Sequence, residues 1–348
     1  MISILDLPDE IILKVIHYLE IKDLFRCGQS SKRIRKISCD ESLWQKLNFS
    51  NSARAPNRFF VPTGLVKMAL QNGCQYLGLE DAMLGSFSGR KIASKGKMCL
   101  NKVSKLRYLD LKNCFDNDGC FEEILSSCNC LQKLSMACCF LFQPLSQNMI
   151  KSICFQNGET LQTLDLRGCE GLLVSSIKKI TKYCKNLKHV DFCDTSLSEL
   201  SIKFLVKNLT SKVEKLNLGH LKNITDDHVK TLVQRCDKLS VLILENTLIT
   251  DNSLTHIIEN LQNKLEKLDV LGCNKLTISK IAELKDMPRL KALNCLDKID
   301  FIYNEKYLKK KMPNVRFDEE ISAKERTLSS NEGIWDIKVK QVLYRRYE

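Results

Sequence analysis

Leu161-Gln162-Thr163-Leu164-Asp165-Leu166-Arg167-Gly168-Cys169 decides the fold. Its frame, L-x-x-L-x-L-x-x-C, returns at Leu106, Leu109, Leu111, Cys114 and at Leu265, Leu268, Val270, Cys273. Conservative variants start at Cys74, Leu131, Leu187, Val213, Leu239 and Leu290, with a short last echo at Val315 and Phe317. From Leu161 onward the first positions are spaced 26, 26, 26, 26, 25 and 25 residues. A period held over so many units marks a repeat array. Alternation at the fourth and sixth positions is the two-residue period of a short strand. The second half of each unit is helical instead: Leu254, Ile257, Ile258 and Leu261 lie at i, i+3, i+4 and i+7, and Val229, Leu232 and Val233 repeat the pattern. Thr225-Asp226 and Thr250-Asp251 supply side-chain oxygens where those helices begin. Each unit is strand, turn, helix, and stacking the units buries one continuous core. The strands are narrower than the helices, so the stack curves with its sheet inside, as a horseshoe.

The stretch from Met83 to Lys105 fits the period poorly. Its Gly85, Ser86, Ser88, Gly89, Ser94 and Gly96, interleaved with Lys91, Lys95 and Lys97, predict a loop that lengthens one early repeat. The 32 residues between Cys74 and Leu106 agree.

Residues 4 to 49 carry no such frame. Leu7-Pro8-Asp9-Glu10 opens a helix, since proline suits a first turn and acids favour its positive end. Ile11, Ile12, Val15, Ile16 and Leu19 continue at helical spacing, and Leu24, Cys27, Ile34 and Ile37 predict two more short helices. Three helices of this size hold little core, so an apolar helix face here wants a partner.

Composition narrows the function. Hydrophobic residues make up 44% and charged residues 27% of the 348, ordinary for a folded chain, and no run approaches the roughly 18 apolar residues of a membrane span. Met1-Ile2-Ser3-Ile4-Leu5-Asp6 lacks the basic start and apolar core of a signal peptide, which predicts a reducing compartment for the seventeen cysteines. Lys309-Lys310-Lys311 adds a nuclear expectation to a cytoplasmic one. Cys128-x-Cys130 and Cys138-Cys139 do not make the paired spacing of structural zinc, and no metal or other cofactor is expected. The repeats account for the cysteines otherwise. Cys114, Cys139, Cys169 and Cys273 fill the ninth position, and Cys128, Cys184 and Cys236 end helices three residues before a first position. Small buried thiols suit both places. Nothing pairs a nucleophile with a base, so no catalysis is expected.

The third, fifth and seventh positions are expected on the concave face. The fifth reads Asp110, Ser135, Asp165, Asp191, Asn217, Ile243, Asp269, Asn294, and the third Tyr108, Lys133, Thr163, His189, Lys215, Val241, Lys267, Ala292. Acids beside bases argue against nucleic acid, despite a net charge of +13. Val241, Ile243, Leu271 and Leu296 predict an exposed apolar patch near the C-terminal end of that face. Ile334-Trp335-Asp336-Ile337-Lys338-Val339-Lys340 alternates like a strand, and the expectation is that this tail folds back onto the patch with Trp335 as anchor.

The opening Leu7-Pro8-Asp9-Glu10, Ser31-Lys32-Arg33 and the ending Asp40-Glu41-Ser42-Leu43-Trp44 resemble an F-box, with Ile34 where many F-boxes place an aromatic. The ninth-position cysteines resemble the cysteine-containing leucine-rich repeats found mostly in F-box proteins. Met287 to Leu293 and the tail Glu332-Gly333-Ile334-Trp335-Asp336-Ile337-Lys338 extend the likeness over nearly the whole chain. The chain thus resembles the F-box/leucine-rich-repeat substrate receptors of SCF ubiquitin ligases. That implies an α/β fold: a small three-helix F-box (1–49), a linker or first irregular repeat (50–73), the leucine-rich-repeat horseshoe (74–318) and the tail (319–348). It implies binding to the Skp adaptor, and through it to cullin, with Leu7, Pro8, Ile11, Ile12, Val15, Leu19 and Leu24 as candidate contacts. It also implies a Cks accessory protein and a phosphorylated substrate, such as a cyclin-dependent kinase inhibitor. The candidates for those are Lys215, Val241, Ile243, Glu245, Lys267, Asp269, Leu271, Asn294, Leu296 and Trp335. The residues alone leave open a receptor for an unrelated substrate, or a repeat scaffold that only blocks partners.

Overall fold

The frame puts a leucine between two polar positions, and there the chain makes its three-residue strands. The computed structural model describes residues 4–19, 21–49, 59–85, 104–116, 119–139, 144–295, 298–317 and 340–341. They divide into two units, residues 1–131 with 337–348, and residues 132–336.

In the first unit a 3-10 turn (Ile4–Asp6) precedes α1 (Asp9–Ile16), α2 (Ile21–Cys27), α3 (Lys32–Ser38) and α4 (Glu41–Trp44). Then follow β1 (Lys46–Asn48), β2 (Phe59–Pro62), α5 (Thr63–Gln71), β3 (Tyr76–Gly78), β4 (Ala82–Gly85), β5 (Tyr108–Asp110), β6 (Phe115–Asp116) and α6 (Cys120–Ser127). Pro8 sits just before α1 at φ −58°. Ser31 Oγ caps α3 by accepting from the Ile34 N–H at 3.1 Å, and Asp40 caps α4 by accepting from the Ser42 N–H at 3.0 Å. Arg33 braces the start of the chain: its guanidinium donates to the Asp9 carboxylate at 2.8 Å and to the carbonyls of Leu7, at 2.7 Å, and Leu5.

Several expectations change here. The short α4 adds to the three helices read from the sequence, and the repeats begin before residue 74. β1 pairs with β3 in parallel, Leu47 opposite Leu77, and β3 with β5. Trp44, Leu47 and Phe49 thus fill the first, fourth and sixth positions of a repeat, and all three are buried. Aromatic residues at two frame positions hid it. Met83 to Gly85, expected in a loop, lie in β4, which joins β2 and β6 in a second parallel sheet. Residues 86–103 lie outside the described residues. Of the tail, β15 (Lys340–Gln341) pairs in parallel with β1, at the sheet edge rather than across the strand face, so the sheet of this unit runs β15-β1-β3-β5.

The second unit alternates strand and helix: β7 (Lys133–Ser135), α7 (Gln147–Lys151), β8 (Thr163–Asp165), α8 (Val174–Tyr183), β9 (His189–Asp191) and α9 (Glu199–Asn208). It continues through β10 (Lys215–Asn217), α10 (Asp226–Arg235), β11 (Val241–Ile243), α11 (Asp251–Leu261), β12 (Lys267–Asp269), α12 (Ile278–Ala282), β13 (Ala292–Asn294), α13 (Lys298–Lys311) and β14 (Arg316–Phe317). The strands are parallel, in register and neighbours in chain order, so fifth positions align, as with Asp165 opposite Asp191. First-, fourth- and sixth-position leucines form the core.

Each repeat leaves its strand the same way. The eighth position is left-handed at Asp81, Asn113, Cys138, Asp194, His220 and Asn246, with φ between 52° and 66°, and at Gly168 and Gly272. Asp, Asn, His and Gly tolerate that region best, and Cys138 is the exception. The ninth-position thiols stitch repeats together. Cys114, Cys169 and Cys273 donate to the sixth-position carbonyls of the preceding repeats, Leu79, Met136 and Leu244, at 2.6, 3.1 and 3.1 Å.

The helix starts are linked as well. Thr225, Thr250 and Thr277 cap α10, α11 and α12. Asp226 then accepts from the Thr250 N–H at 2.8 Å, its hydroxyl at 2.6 Å and the Ser253 hydroxyl at 2.5 Å, and Asp251 likewise receives Thr277. Partial burial works against this charge, but the bonds from Ser253 and Thr250 hold the Asp226 carboxyl below the usual carboxylate range. Asp226→Ala is therefore expected to cost about 2 kcal/mol in urea unfolding at pH 7, and progressively less as pH falls below about 4, where the unfolded chain's carboxyl protonates first and the folded one later. An equal loss at pH 3 would mean that packing, not charge, holds the link.

Candidate functional site

α1 presents two apolar stripes. Ile12 and Ile16 share one helix face and are buried, Ile12 completely. Ile11, Val15 and Tyr18 share another and are 41%, 44% and 87% exposed. Ile4 and Leu5 on the preceding turn are also exposed, as is Pro8, while Leu7 and Leu19 are half-buried. Of the adaptor candidates, Ile12 and Leu24 belong to the module's own core, because α1 and α2 both pack on α3. Sequence reasoning missed Ile4, Leu5 and Tyr18. Tyr18 continues the spacing of Ile11 and Val15 and was the findable one.

The strand face of the second unit differs from expectation in one column. The fifth positions Ser135, Asp165, Asp191, Asn217, Ile243, Asp269 and Asn294 are all buried. Register explains it: strands about 4.8 Å apart put each fifth side chain between two others, and third and seventh positions cover it. Asp165, Asp191, Asn217 and Asp269 each accept from the N–H two residues on. Ser135 donates to Asp165 at 3.2 Å, Asn217 to Asp191 at 3.0 Å and Asn294 to Asp269 at 2.8 Å. Ile243, Asp269 and Asn294 are thus structural and do not meet solvent. Lys215, Val241, Glu245, Lys267 and Leu271 remain partly exposed, so the apolar patch shrinks to Val241 and Leu271. Leu296 and Trp335 lie outside the described residues. With the acids underneath, the lysines at third positions, Lys133, Lys215 and Lys267, form the charged outer layer. His189 among them stays neutral at physiological pH, since burial and then the Lys215 charge push its imidazole down to about 4.

The buried frame thiols stay protonated. Burial pushes Cys74, Cys128 and Cys236 up to about 12, and raises Cys169 and Cys273 as well. No group of side chains suited to a metal occurs among the described residues, nor a helix long and apolar enough to cross a membrane.

Residues 4–50 match the F-box-like family, and residues 81–342 match the SKP2 LRR domain family, which covers most of the chain. The chain belongs to the F-box proteins with an SKP2-type LRR domain. This F-box/LRR family is one of substrate receptors typical of SCF ligases, non-catalytic adaptors within ubiquitin ligase complexes. Among curated relatives, F-box/LRR-repeat protein 4 of Bos taurus is 23% identical over 285 residues, 67% of this chain and 45% of its own length. Antagonist of mitotic exit network protein 1 of Candida albicans is 28% identical over 183 residues, 47% of this chain and 26% of its own. The chain thus spans less than half the length of these relatives. Among solved structures, the leucine-rich-repeat protein LegL7 from Legionella pneumophila aligns at a TM-score of 0.43 and 14% identity, covering 78% of this F-box/LRR chain and 88% of its own. The yeast Rad7–Elc1 complex aligns at 0.35 and 16%, covering 63% and 70%.

Proposed function

We propose that this F-box/LRR chain is the substrate-recognition subunit of an SCF ubiquitin ligase, holding a target near a conjugating enzyme rather than performing chemistry. The observation that carries this is the uncovered stripe Ile11, Val15 and Tyr18 with Ile4 and Leu5, an apolar surface on a helix module too small to leave it bare without reason. The Skp adaptor is its expected occupant, and cullin follows through the adaptor. Tethering then acts by raising the effective concentration of a substrate lysine. Ile11→Asp with Val15→Asp is expected to weaken adaptor binding by about a hundredfold in a titration, through lost burial and a desolvated charge, with an unchanged circular dichroism spectrum. Undiminished binding by the folded variant would sink this assignment.

The finer reading is a cell-cycle receptor like S-phase kinase-associated protein 2, binding a Cks accessory protein and a phosphorylated cyclin-dependent kinase inhibitor. Three features support it: the likeness of the Met287 to Leu293 stretch and the tail, the lysines Lys133, Lys215 and Lys267 on the strand face, and a relative named for mitotic exit. Charge reversal at Lys215 and Lys267 is expected to weaken phosphopeptide–Cks capture by about tenfold or more, since each removes a charge-assisted contact. Full-strength capture by the reversed variant would send the search for a substrate elsewhere.

A further inference from the structure

The helix side of the second unit holds a recess of about 540 Å³ lined by Lys207, Ser211, Thr231, Gln234 and Arg235, at the ends of α9 and α10. Every one of these side chains can donate a hydrogen bond; none is a carboxylate and none is apolar. Cavities for small apolar ligands are lined the other way. Arg235 is preset: its Nε donates to the Leu209 carbonyl at 2.7 Å, and its two terminal nitrogens have no hydrogen-bond partner among the described residues. Lys207 has no ion pair or hydrogen bond there. A cation in a last helical turn is favoured by the helix dipole alone. That accounts for one charge per helix, but not for two converging on a recess with two further donors, Ser211 and Gln234, while the Thr231 hydroxyl is held by the Asp227 carbonyl at 2.9 Å.

The recess lies on a longer edge. Lys182 and Lys185 at the end of α8, Lys212 after α9 and Lys238 after α10 occupy comparable places in three successive repeats. None of them, nor Lys207 or Arg235, pairs with a carboxylate among the described residues, and nearby Asp237 is already taken by Lys264 at 3.3 Å. We propose that this edge docks an extended acidic segment of a partner protein, with one oxyanion, a carboxylate or a phosphate, seated between Lys207 and Arg235. The spacing suits an extended peptide. Packed helices stand about 8–10 Å apart, and an extended chain in the polyproline II conformation advances about 3.1 Å per residue with three residues per turn, so every third residue faces the edge and meets the next repeat. Nucleic acid fits less well, because the recess offers no ring on which a base could stack. This edge shares no residue with either surface of the proposed ligase function and does not rest on it.

The test uses the full chain and four fluorescein-labelled probes: a twelve-residue peptide with glutamate at every third position, its copy with one central phosphoserine, its glutamine counterpart, and oligothymidylate of equal length. The acidic peptides are expected to bind at least about tenfold more tightly than the glutamine peptide, and Lys207→Glu to abolish most of that preference. Stronger binding of the phosphoserine copy assigns phosphate, and equal binding assigns carboxylate. Lys207 has no hydrogen bond or ion pair among the described residues, so its reversal should lower the melting temperature only by the few degrees that the helix dipole accounts for; Arg235→Lys, which keeps the charge but loses the fork, should cost affinity for both acidic peptides and not for the glutamine one. Equal binding of acidic and neutral peptides, indifference to Lys207→Glu, or tighter binding of oligothymidylate would each overturn the proposal.

Discussion

Trp44→Ala is expected to lower the unfolding free energy of the N-terminal unit by about 3–5 kcal/mol, the usual cost of deleting a large buried aromatic. The residue serves two structures at once. It ends α4, and its side chain fills the first frame position of the repeat whose strand is β1, with no exposed surface. Its indole N–H also donates to the Ser38 carbonyl at 2.7 Å. Ser38 is the last residue of α3, so this carbonyl is one of those that a helix leaves without an internal partner. Alanine would open a cavity and leave that acceptor bare in a buried place. Trp44→Phe keeps most of the volume and isolates the hydrogen bond, for which about 1–3 kcal/mol is expected. Urea unfolding followed by circular dichroism, with limited proteolysis of residues 4–49, measures both. A loss below about 1 kcal/mol for the alanine variant would mean that module and first repeat do not share this anchor. The ordering of the two variants also matters. If Phe were as costly as Ala, the carbonyl bond rather than the packing would be the joint.

Legibility followed how much of each element's register the sequence carried. The repeats from Leu161 onward could be read residue by residue, because leucine at three positions and a fixed period determine both strand and helix. The first repeat could not, since Trp44 and Phe49 stand where the frame asks for aliphatic residues. β4 is four residues long and runs into a glycine- and serine-rich stretch, so nothing local distinguished it from loop. In α1 the stripes Ile11–Val15 and Ile12–Ile16 are equally apolar, and only the packing against α3 decides which one faces out. Alternation correctly put fifth-position side chains on the strand face. It could not show that in-register parallel neighbours would bury them, because burial there is a property of several strands together. The ninth-position cysteines were read as packing, and their thiol bonds to the previous repeat explain why cysteine serves so well there. The donor-lined recess at Lys207 and Arg235 has no local sequence signal, because it joins the ends of two helices that finish 27 residues apart, at Asn208 and Arg235.

Stability of the second unit is expected to fall as pH rises from 5 to 8, against the trend of an ordinary carboxylate. The cause is a reversal in the fifth-position ladder. Ser135 donates to Asp165 from one side and Asn217 to Asp191 from the other, and register sets these two carboxylates opposite each other on β8 and β9, where each feels the other's charge. Burial first, and then the Asp165 charge, push the Asp191 carboxyl well above the usual carboxylate range, although Arg167, the Cys193 N–H and Asn217 offset part of this. The Arg167 guanidinium stands 3.7 Å from Asp165. Burial likewise raises Asp269 to about 6. In the unfolded chain both protonate near pH 3.9. Their contribution is therefore complete below about pH 4 and lost as pH rises through the raised folded-state values, about 6 for Asp269, because the folded state then holds charges it would rather protonate. Asp165→Asn separates this from general pH effects. An amide there still accepts from the Arg167 N–H through its oxygen, while its nitrogen can donate to Ser135 Oγ and to Asp191. The variant is expected to be about 1–2 kcal/mol more stable than the native chain at pH 8, to lose that advantage at pH 5, and to show a shallower slope between them. Urea midpoints at pH 5, 6.5 and 8 decide it. A variant that is less stable at all three would mean that Arg167 needs the Asp165 charge more than Asp191 suffers from it.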